Sequence, residues 1–152
     1  MSGAGPDELD RADHSNPNLQ TYRRLMEAYR SEDLATLQGC LAPDVGLQAK
    51  GRNSLSGAYE GFPSVLAYIA KSMRRFVPAT LRVEELTPEG DELRVVMRGL
   101  VRRPDGGTID VGLRHTFRFD ADHRIVHITA AAADDQDEFD RMIDDYFERR
   151  PT

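Results

Sequence analysis

The chain of 152 residues has one cysteine and no tryptophan, and aromatic residues make up only 7% of it. A single cysteine, Cys40, excludes an intramolecular disulfide framework and a cysteine-rich metal site. Basic residues are also fewer than acidic residues: the chain has 20 Lys and Arg residues and 26 Asp and Glu residues, which gives a formal net charge of −6. Because a nucleic-acid-binding surface needs basic side chains to neutralise phosphates, this composition argues against a nucleic-acid partner.

The chain also lacks long hydrophobic runs, and no stretch approaches the roughly 20 apolar residues that cross a bilayer. Residues 1–15 are polar and have no apolar segment of the kind found in signal peptides, so we expect no membrane association and a cytoplasmic protein. The same residues bury too little apolar surface to offset the entropy of ordering them. The sequence therefore predicts a disordered leader over 1–15 and one domain over 16–149.

Helical patterns dominate the first half of the chain. Asn16 followed by Pro17 is typical of a helix start, and Ser31 is interpreted as the N-cap of a second helix that Pro43 ends. A third helix is predicted between the prolines at 63 and 78. Between these helices, the pattern predicts a short strand over 44–50, with Leu47 on its apolar face, and a loop over 51–61.

From residue 80 onward, the apolar period changes from that of a helix to that of a strand. Four strands are predicted: one at Leu81 and Val83, two over 92–103 and 108–120 on either side of a Pro-Asp-Gly-Gly turn at 104–107, and one over 124–133. A final helix is predicted over 135–149. Helices followed by an antiparallel sheet indicate an α+β fold, in which the helices cover the apolar face of the sheet.

Two apolar residues lie on the face of this sheet that is otherwise polar. Val96 and Leu100 share that face with arginines of the predicted strands. We interpret them as part of an interface between two sheets, which predicts a homodimer. The alternative is that they are single exposed apolar residues, which are common on protein surfaces.

Several short motifs resemble the SnoaL-like family of the NTF2-like superfamily. They are Leu41-Ala42-Pro43-Asp44-Val45, the loop from Gly51 to Gly61, Phe117-Arg118-Phe119, and Asp135-Gln136 ahead of a Phe-bearing helix. The resemblance implies a cone, in which a curved antiparallel or mixed sheet wraps round N-terminal helices and an apolar pocket opens at the wide end. It also implies a cofactor-independent protein that takes a small hydrophobic molecule, although this fold hosts many unrelated reactions.

His115 is the candidate catalytic residue. It falls on the apolar face of the strand over 108–120, where burial lowers the pKa of an imidazole and keeps it neutral. A neutral imidazole in an apolar pocket can act as a general base or as a hydrogen-bond donor. The resemblance places His115 at the position of the aspartate that SnoaL-like cyclases use as acid and base. The alternative is a core histidine bonded to a tyrosine or to a backbone carbonyl.

Other positions depart from the enzymes of this superfamily. The resemblance places the catalytic base of ketosteroid isomerase at Ala49 and its oxyanion-hole tyrosine at Leu25, and neither side chain can do that work. Many SnoaL-like proteins have Trp-His where this chain has Leu47-Gln48. Along the two central strands, Arg98 and Asp110 face away from the pocket, which disfavours the Asp-Arg-Asp mechanism of the epoxide hydrolase.

The predicted ligand contacts are two tyrosines and three apolar residues: Tyr22, Tyr59, Leu47, Met97 and Phe117. A tyrosine offers an apolar ring and one hydroxyl, which suits a pocket that orients a flat ligand. No pair of histidines with a carboxylate has metal-ligand spacing, and no glycine-rich loop has the register of a phosphate site, so no metal and no cofactor are expected. Two functions remain, a cyclase, isomerase or lyase acting on a polyketide-like carbonyl compound, and a non-catalytic ligand-binding or dimerisation module.

Overall fold

The computed structural model describes residues 16–103 and 105–148, with side chains described as far as residue 144. The predicted leader and the end of the predicted domain lie outside these ranges. The helices are α1 (Pro17–Arg30), α2 (Leu34–Gly39), α3 (Phe62–Arg75) and α4 (Gln136–Glu148). The strands are β1 (Leu41–Ala49), β2 (Gly57–Glu60), β3 (Phe76–Glu89), β4 (Glu92–Arg102), β5 (Thr108–Phe119) and β6 (Ile125–Ala132). No helix within the described ranges is long and apolar enough to span a lipid bilayer.

The six strands form one curved sheet in the order β2-β1-β6-β5-β4-β3. Neighbouring strands run antiparallel, except that β1 and β6 are parallel. The helices α1 and α3 pack against the sheet, and apolar side chains from helices and strands form one core between them. The predicted α+β cone is confirmed. The sheet is larger than the four strands predicted after residue 80, because β1 and β2 extend it beyond β6.

The structure confirms the predicted N-cap of the first helix and corrects that of the second. Asn16 caps α1 as expected, accepting hydrogen bonds from the amides of the next helical turn. The N-cap of α2 is Asp33, not Ser31, since Asp33 accepts from the amide of Thr36 at 3.1 Å. Ser31 instead ends α1, where its amide and its hydroxyl both donate to the carbonyl of Glu27.

Three further predicted boundaries are wrong. Pro43 does not end α2, because α2 ends at Gly39 and β1 already begins at Leu41 and contains the proline. The predicted loop over 51–61 contains β2, whose four residues pair with β1 and place Tyr59 opposite Leu47. Pro78 does not end α3, because β3 already begins at Phe76 and contains the proline. A strand tolerates Pro78 here because the pairing of β3 with β4 shifts register between Val77 and Arg82 and because β3 is an edge strand.

The register of β5 decides which of its side chains face the core. His115 lies opposite Val95 of β4 and Ala130 of β6, both of which are buried. On the other face of the sheet, Asp110 accepts hydrogen bonds from Arg82 at 3.0 Å and from Arg98 at 3.1 Å. The prediction that Arg98 and Asp110 face away from the pocket is therefore confirmed.

Candidate functional site

A cavity of about 100 Å³ lies between the sheet and the helices. On this scale, which measures the space open to the centre of a water molecule, one water needs roughly 10–15 Å³. The cavity therefore has room for a small organic molecule. Most of its wall is apolar, and its polar side chains are Tyr29, Lys50, Asn53, Tyr68, Ser72, His115 and Gln136. Of the cavity-lining residues that belong to the described strands, His115 alone has a polar side chain.

The imidazole of His115 is half-buried at the cavity wall and stacks on Phe117, with 5.7 Å between ring centroids and 21° between ring planes. Burial lowers the pKa of His115 to about 4, so the ring is neutral near pH 7. Its Nδ1 is buried and has no hydrogen-bond partner among the described residues. The alternative of a core histidine bonded through this nitrogen to a tyrosine or a carbonyl is thus not what the structure shows.

The three apolar residues predicted as ligand contacts, Leu47, Met97 and Phe117, all line the cavity. They come from β1, β4 and β5, and each is almost fully buried behind the cavity surface. The register of the sheet brings them to the same wall as His115, because each side chain points to the face that packs on the helices.

The structure places both predicted tyrosines, Tyr22 and Tyr59, outside the residues that line the cavity. Tyr22 lies behind Phe117, with ring centroids 5.2 Å apart, and it is only 3% exposed. Its hydroxyl is buried and has no hydrogen-bond partner in the part of the chain that the structure describes, and burial raises the pKa of this phenol above its ordinary value. Tyr59 donates its hydroxyl proton to the carbonyl of Leu55 at 2.7 Å.

Other hydroxyl groups, carried by the helices α1 and α3, line the cavity. The Tyr29 hydroxyl lies 2.7 Å from the Ser72 hydroxyl, so α1 and α3 meet at this pair. Tyr68 lines the same cavity. The sequence analysis did not single out Ser72, although a polar residue within the apolar stripe of α3 is the signal that identified His115 on β5.

A loop at one end of the cavity is fastened to α4 by a buried carboxylate. Asp140 accepts hydrogen bonds from the amide of Arg52 at 2.7 Å, from Asn53 Nδ2 at 2.6 Å and from Gln136 Nε2 at 2.8 Å. Burial raises the pKa of Asp140, but these hydrogen bonds outweigh burial and hold that pKa below its usual range. The loop thereby keeps Asn53 and Leu55 at the cavity wall.

Gly51 allows the loop to approach α4 this closely. Its backbone has φ of +94°, and a Cβ at this position would collide with the Asp140 carboxylate and the Gln136 amide. Only glycine meets both requirements without strain. Acidic side chains at the start of a helix also complement its macrodipole. For Asp140, the structure adds this specific role as the acceptor that holds the loop.

The described residues contain no group of three His, Cys, Asp or Glu side chains placed to hold a metal ion. The polar groups that line the cavity are one neutral imidazole, the hydroxyls of the helices, two amides and a lysine at an exposed position.

A family model described as a SnoaL-like domain matches residues 22–128, which is more than half of the chain. The chain belongs to the SnoaL-like family. The matched range of this SnoaL-like chain includes β1 to β5, part of β6 and the helices α2 and α3, and it contains His115. No functionally curated protein matches the sequence.

Solved structures similar to this SnoaL-like protein share its fold. An NTF2-like protein of unknown function from Burkholderia pseudomallei is 26% identical, with a TM-score of 0.70 over 84% of this chain and 98% of that one. TerC, co-crystallised with polyporic acid, is 18% identical, with a TM-score of 0.70 and coverage of 84% and 98%. A Mycobacterium tuberculosis protein in complex with estradiol-17β-hemisuccinate is also 18% identical, with a TM-score of 0.68 and coverage of 80% and 98%.

The positions that the resemblance linked to ketosteroid isomerase lie at the cavity of this SnoaL-like protein. Leu25 and Ala49 both line it, and both are buried. The cavity is thus apolar at the two places where the resemblance would put a tyrosine and a carboxylate. His115, which the resemblance matched to the aspartate of SnoaL-like cyclases, has a side chain that can exchange a proton or donate a hydrogen bond.

Proposed function

We propose that this SnoaL-like protein binds a small hydrophobic carbonyl compound of the polyketide type in its cavity, and that His115 contacts the carbonyl oxygen. The observation that carries the proposal is a neutral, half-buried imidazole on an otherwise apolar sheet wall, whose buried Nδ1 has no partner within the described ranges. An apolar cavity with few convergent polar groups is typical of small-molecule sites.

The burial of Nδ1 indicates which nitrogen carries the proton. An orphaned N–H donor is rarer in proteins than an orphaned acceptor, so we assign the proton of the neutral ring to Nε2. Because Nδ1 is enclosed, Nε2 is the nitrogen left to meet a ligand. In this state His115 presents a donor, which matches the lone pairs of a carbonyl oxygen.

A donor held against a carbonyl oxygen can also promote a reaction. It stabilises the negative charge that develops on that oxygen when a water molecule takes a proton from the neighbouring carbon, and such donors contribute about 100- to 1,000-fold in rate. We propose on this basis a cofactor-independent isomerase, cyclase or lyase in which the His115 N–H is the acid toward the carbonyl oxygen and the proton from the neighbouring carbon passes to water. The proposal needs no metal and no cofactor.

A non-catalytic binding module is the second candidate, and one observation favours it. No Asp or Glu side chain is among the described residues that line the cavity. Burial also raises the pKa of Tyr29 and of Tyr68, so neither phenol is a base near neutral pH. A ligand would then be held by His115 without a protein group positioned to remove its proton.

Proton exchange at the carbon next to a carbonyl separates the two candidates. With tetralone, an aromatic bicyclic ketone, as the probe in D₂O, we expect the wild type to accelerate deuterium uptake, measured by mass spectrometry. His115→Phe should bind tetralone and lose this acceleration by about 100-fold or more, because the donor is gone. His115→Gln, which restores an N–H donor, should recover part of it. If tetralone binds but neither the wild type nor the variants accelerate exchange, the binding module is favoured. If wild type and His115→Phe accelerate exchange equally, the proposal that His115 promotes the reaction is contradicted.

We also propose that the protein is a homodimer of the cytoplasm, associated through the outer face of its sheet. Val96 and Leu100 are half-buried on that face of β4, and the free Cys40 is buried, as suits a reducing compartment. Sedimentation should give the mass of two chains, and the mass of one chain would contradict the dimer.

A further inference from the structure

Three hydroxyl groups gather on the helical wall of the cavity. Tyr29 comes from α1, while Tyr68 and Ser72 come from α3, and all three line the cavity. His115 reaches the cavity from the opposite element, the sheet. The cavity therefore carries polar groups on both of its walls, with apolar side chains such as Leu25, Ile69 and Leu81 around them.

The hydrogen bonds at Ser72 fix the direction of its contact with Tyr29. Ser72 Oγ lies 2.8 Å from the carbonyl oxygen of Ile69, which can only accept, so Ser72 donates its single proton there. The 2.7 Å contact between the Tyr29 and Ser72 hydroxyls then has one possible donor, which is Tyr29. Tyr29 therefore donates a hydrogen bond to Ser72, and Ser72 donates one to the carbonyl of Ile69.

This direction leaves Tyr29 Oη with lone pairs and no proton to offer. Burial raises the pKa of Tyr29 to about 12, so the phenol stays protonated at neutral pH. Its proton is already committed to Ser72. Toward the cavity, Tyr29 is therefore a neutral hydrogen-bond acceptor, in contrast to the donor that His115 presents.

We propose that Tyr29 Oη, held by Ser72, is a second binding site in the cavity that accepts a hydrogen bond from a hydroxyl group of the ligand. This inference rests on the proposed function and narrows its substrate class to hydroxy-carbonyl compounds, with the carbonyl at the sheet wall and the hydroxyl at the helical wall. A methyl ether at the same place has no proton to donate, so it leaves the Tyr29 lone pairs unsatisfied.

Tetralone, the hydroxytetralones and the matching methoxytetralones test the site by titration calorimetry. For the hydroxytetralone that the wild type binds most tightly, we expect an affinity about five- to tenfold above that of its methyl ether, the range of one neutral hydrogen bond. Tyr29→Phe should remove this preference while still binding unsubstituted tetralone. Tyr22→Phe is the matched control, because it deletes a tyrosine hydroxyl that lies outside the cavity lining, and it should keep the preference.

Ser72→Ala tests the direction of the hydrogen bonds. Without Ser72 to accept its proton, Tyr29 can donate to the oxygen of the methyl ether, so we expect the preference for the hydroxyl to fall. An unchanged preference in Tyr29→Phe, or a larger one in Ser72→Ala, would overturn the inference. Failure of the proposed function has a different result, namely that tetralone itself does not bind or that His115→Phe binds every compound as the wild type does.

Discussion

Replacing Asp140 with alanine is expected to lower the free energy of unfolding by about 3 kcal/mol. The substitution removes the acceptor for the Arg52 amide, Asn53 Nδ2 and Gln136 Nε2. Hydrogen bonds to a charged group contribute about 1.5–3 kcal/mol each, and water entering at the loop offsets part of their loss. Denaturant unfolding measures the change directly.

Hydrogen exchange in the loop tests the same contact. Hydrogen exchange at the Arg52 amide should become faster in Asp140→Ala, because that amide loses its acceptor. Asp137→Ala is the matched control, since Asp137 lies on the same helix and is exposed, and its effect should stay within about 1 kcal/mol. An Asp140→Ala protein as stable as Asp137→Ala, with unchanged exchange at Arg52, would show that the carboxylate does not hold the loop.

Stability is expected to depend on pH through His115. In the unfolded chain the imidazole has its ordinary pKa near 6.5, whereas burial lowers it to about 4 in the folded protein. As the pH falls below 6.5, the unfolded chain takes up a proton that the folded protein does not. His115 therefore contributes stability above pH 6.5 that is lost down to about pH 4, for a total of about 3 kcal/mol.

The difference between wild type and His115→Gln isolates this contribution, since the acidic groups titrate in both proteins. We expect the two curves of unfolding free energy against pH to diverge between pH 4 and pH 6.5, with the wild type losing more stability as the solution becomes acidic. Parallel curves for wild type and His115→Gln would mean that the His115 imidazole is solvated and not buried at the cavity wall.

His115 could be found from the sequence because a strand repeats every two residues. One polar side chain among apolar alternate positions is visible without any knowledge of the partner strands. The same reasoning placed Leu47, Met97 and Phe117 on one side of the sheet. It also placed Arg98 and Asp110 on the other side, where the structure pairs them.

The tyrosines show what a local sequence pattern does not predict. Tyr22 and Tyr29 are seven residues apart and share a face of α1, so spacing does not distinguish them. The distinction depends on tertiary packing, because Phe117 of β5 covers Tyr22, while Ser72 of α3 accepts from Tyr29. Both partners are far away in the sequence, and the helical period carries no information about them.

The role of Asp140 was hidden for a similar reason. Its contact with Asn53 joins residues that are 87 positions apart, and it depends on the close approach of the loop at Gly51. An acidic run at a helix start has a sufficient local explanation in the macrodipole, so the sequence gives no reason to seek another. Only the packing of α4 against the loop reveals the buried acceptor.

The carbonyl stretching frequency of bound tetralone tests most directly whether His115 donates to the ligand. A hydrogen bond to the oxygen weakens the C=O bond, so infrared difference spectra with isotopically labelled ketone should show a lower frequency in the wild type than in His115→Phe. His115→Gln should give an intermediate value. The same frequency in all three proteins, with tetralone bound in each, would contradict the assignment of His115 as the carbonyl-binding residue.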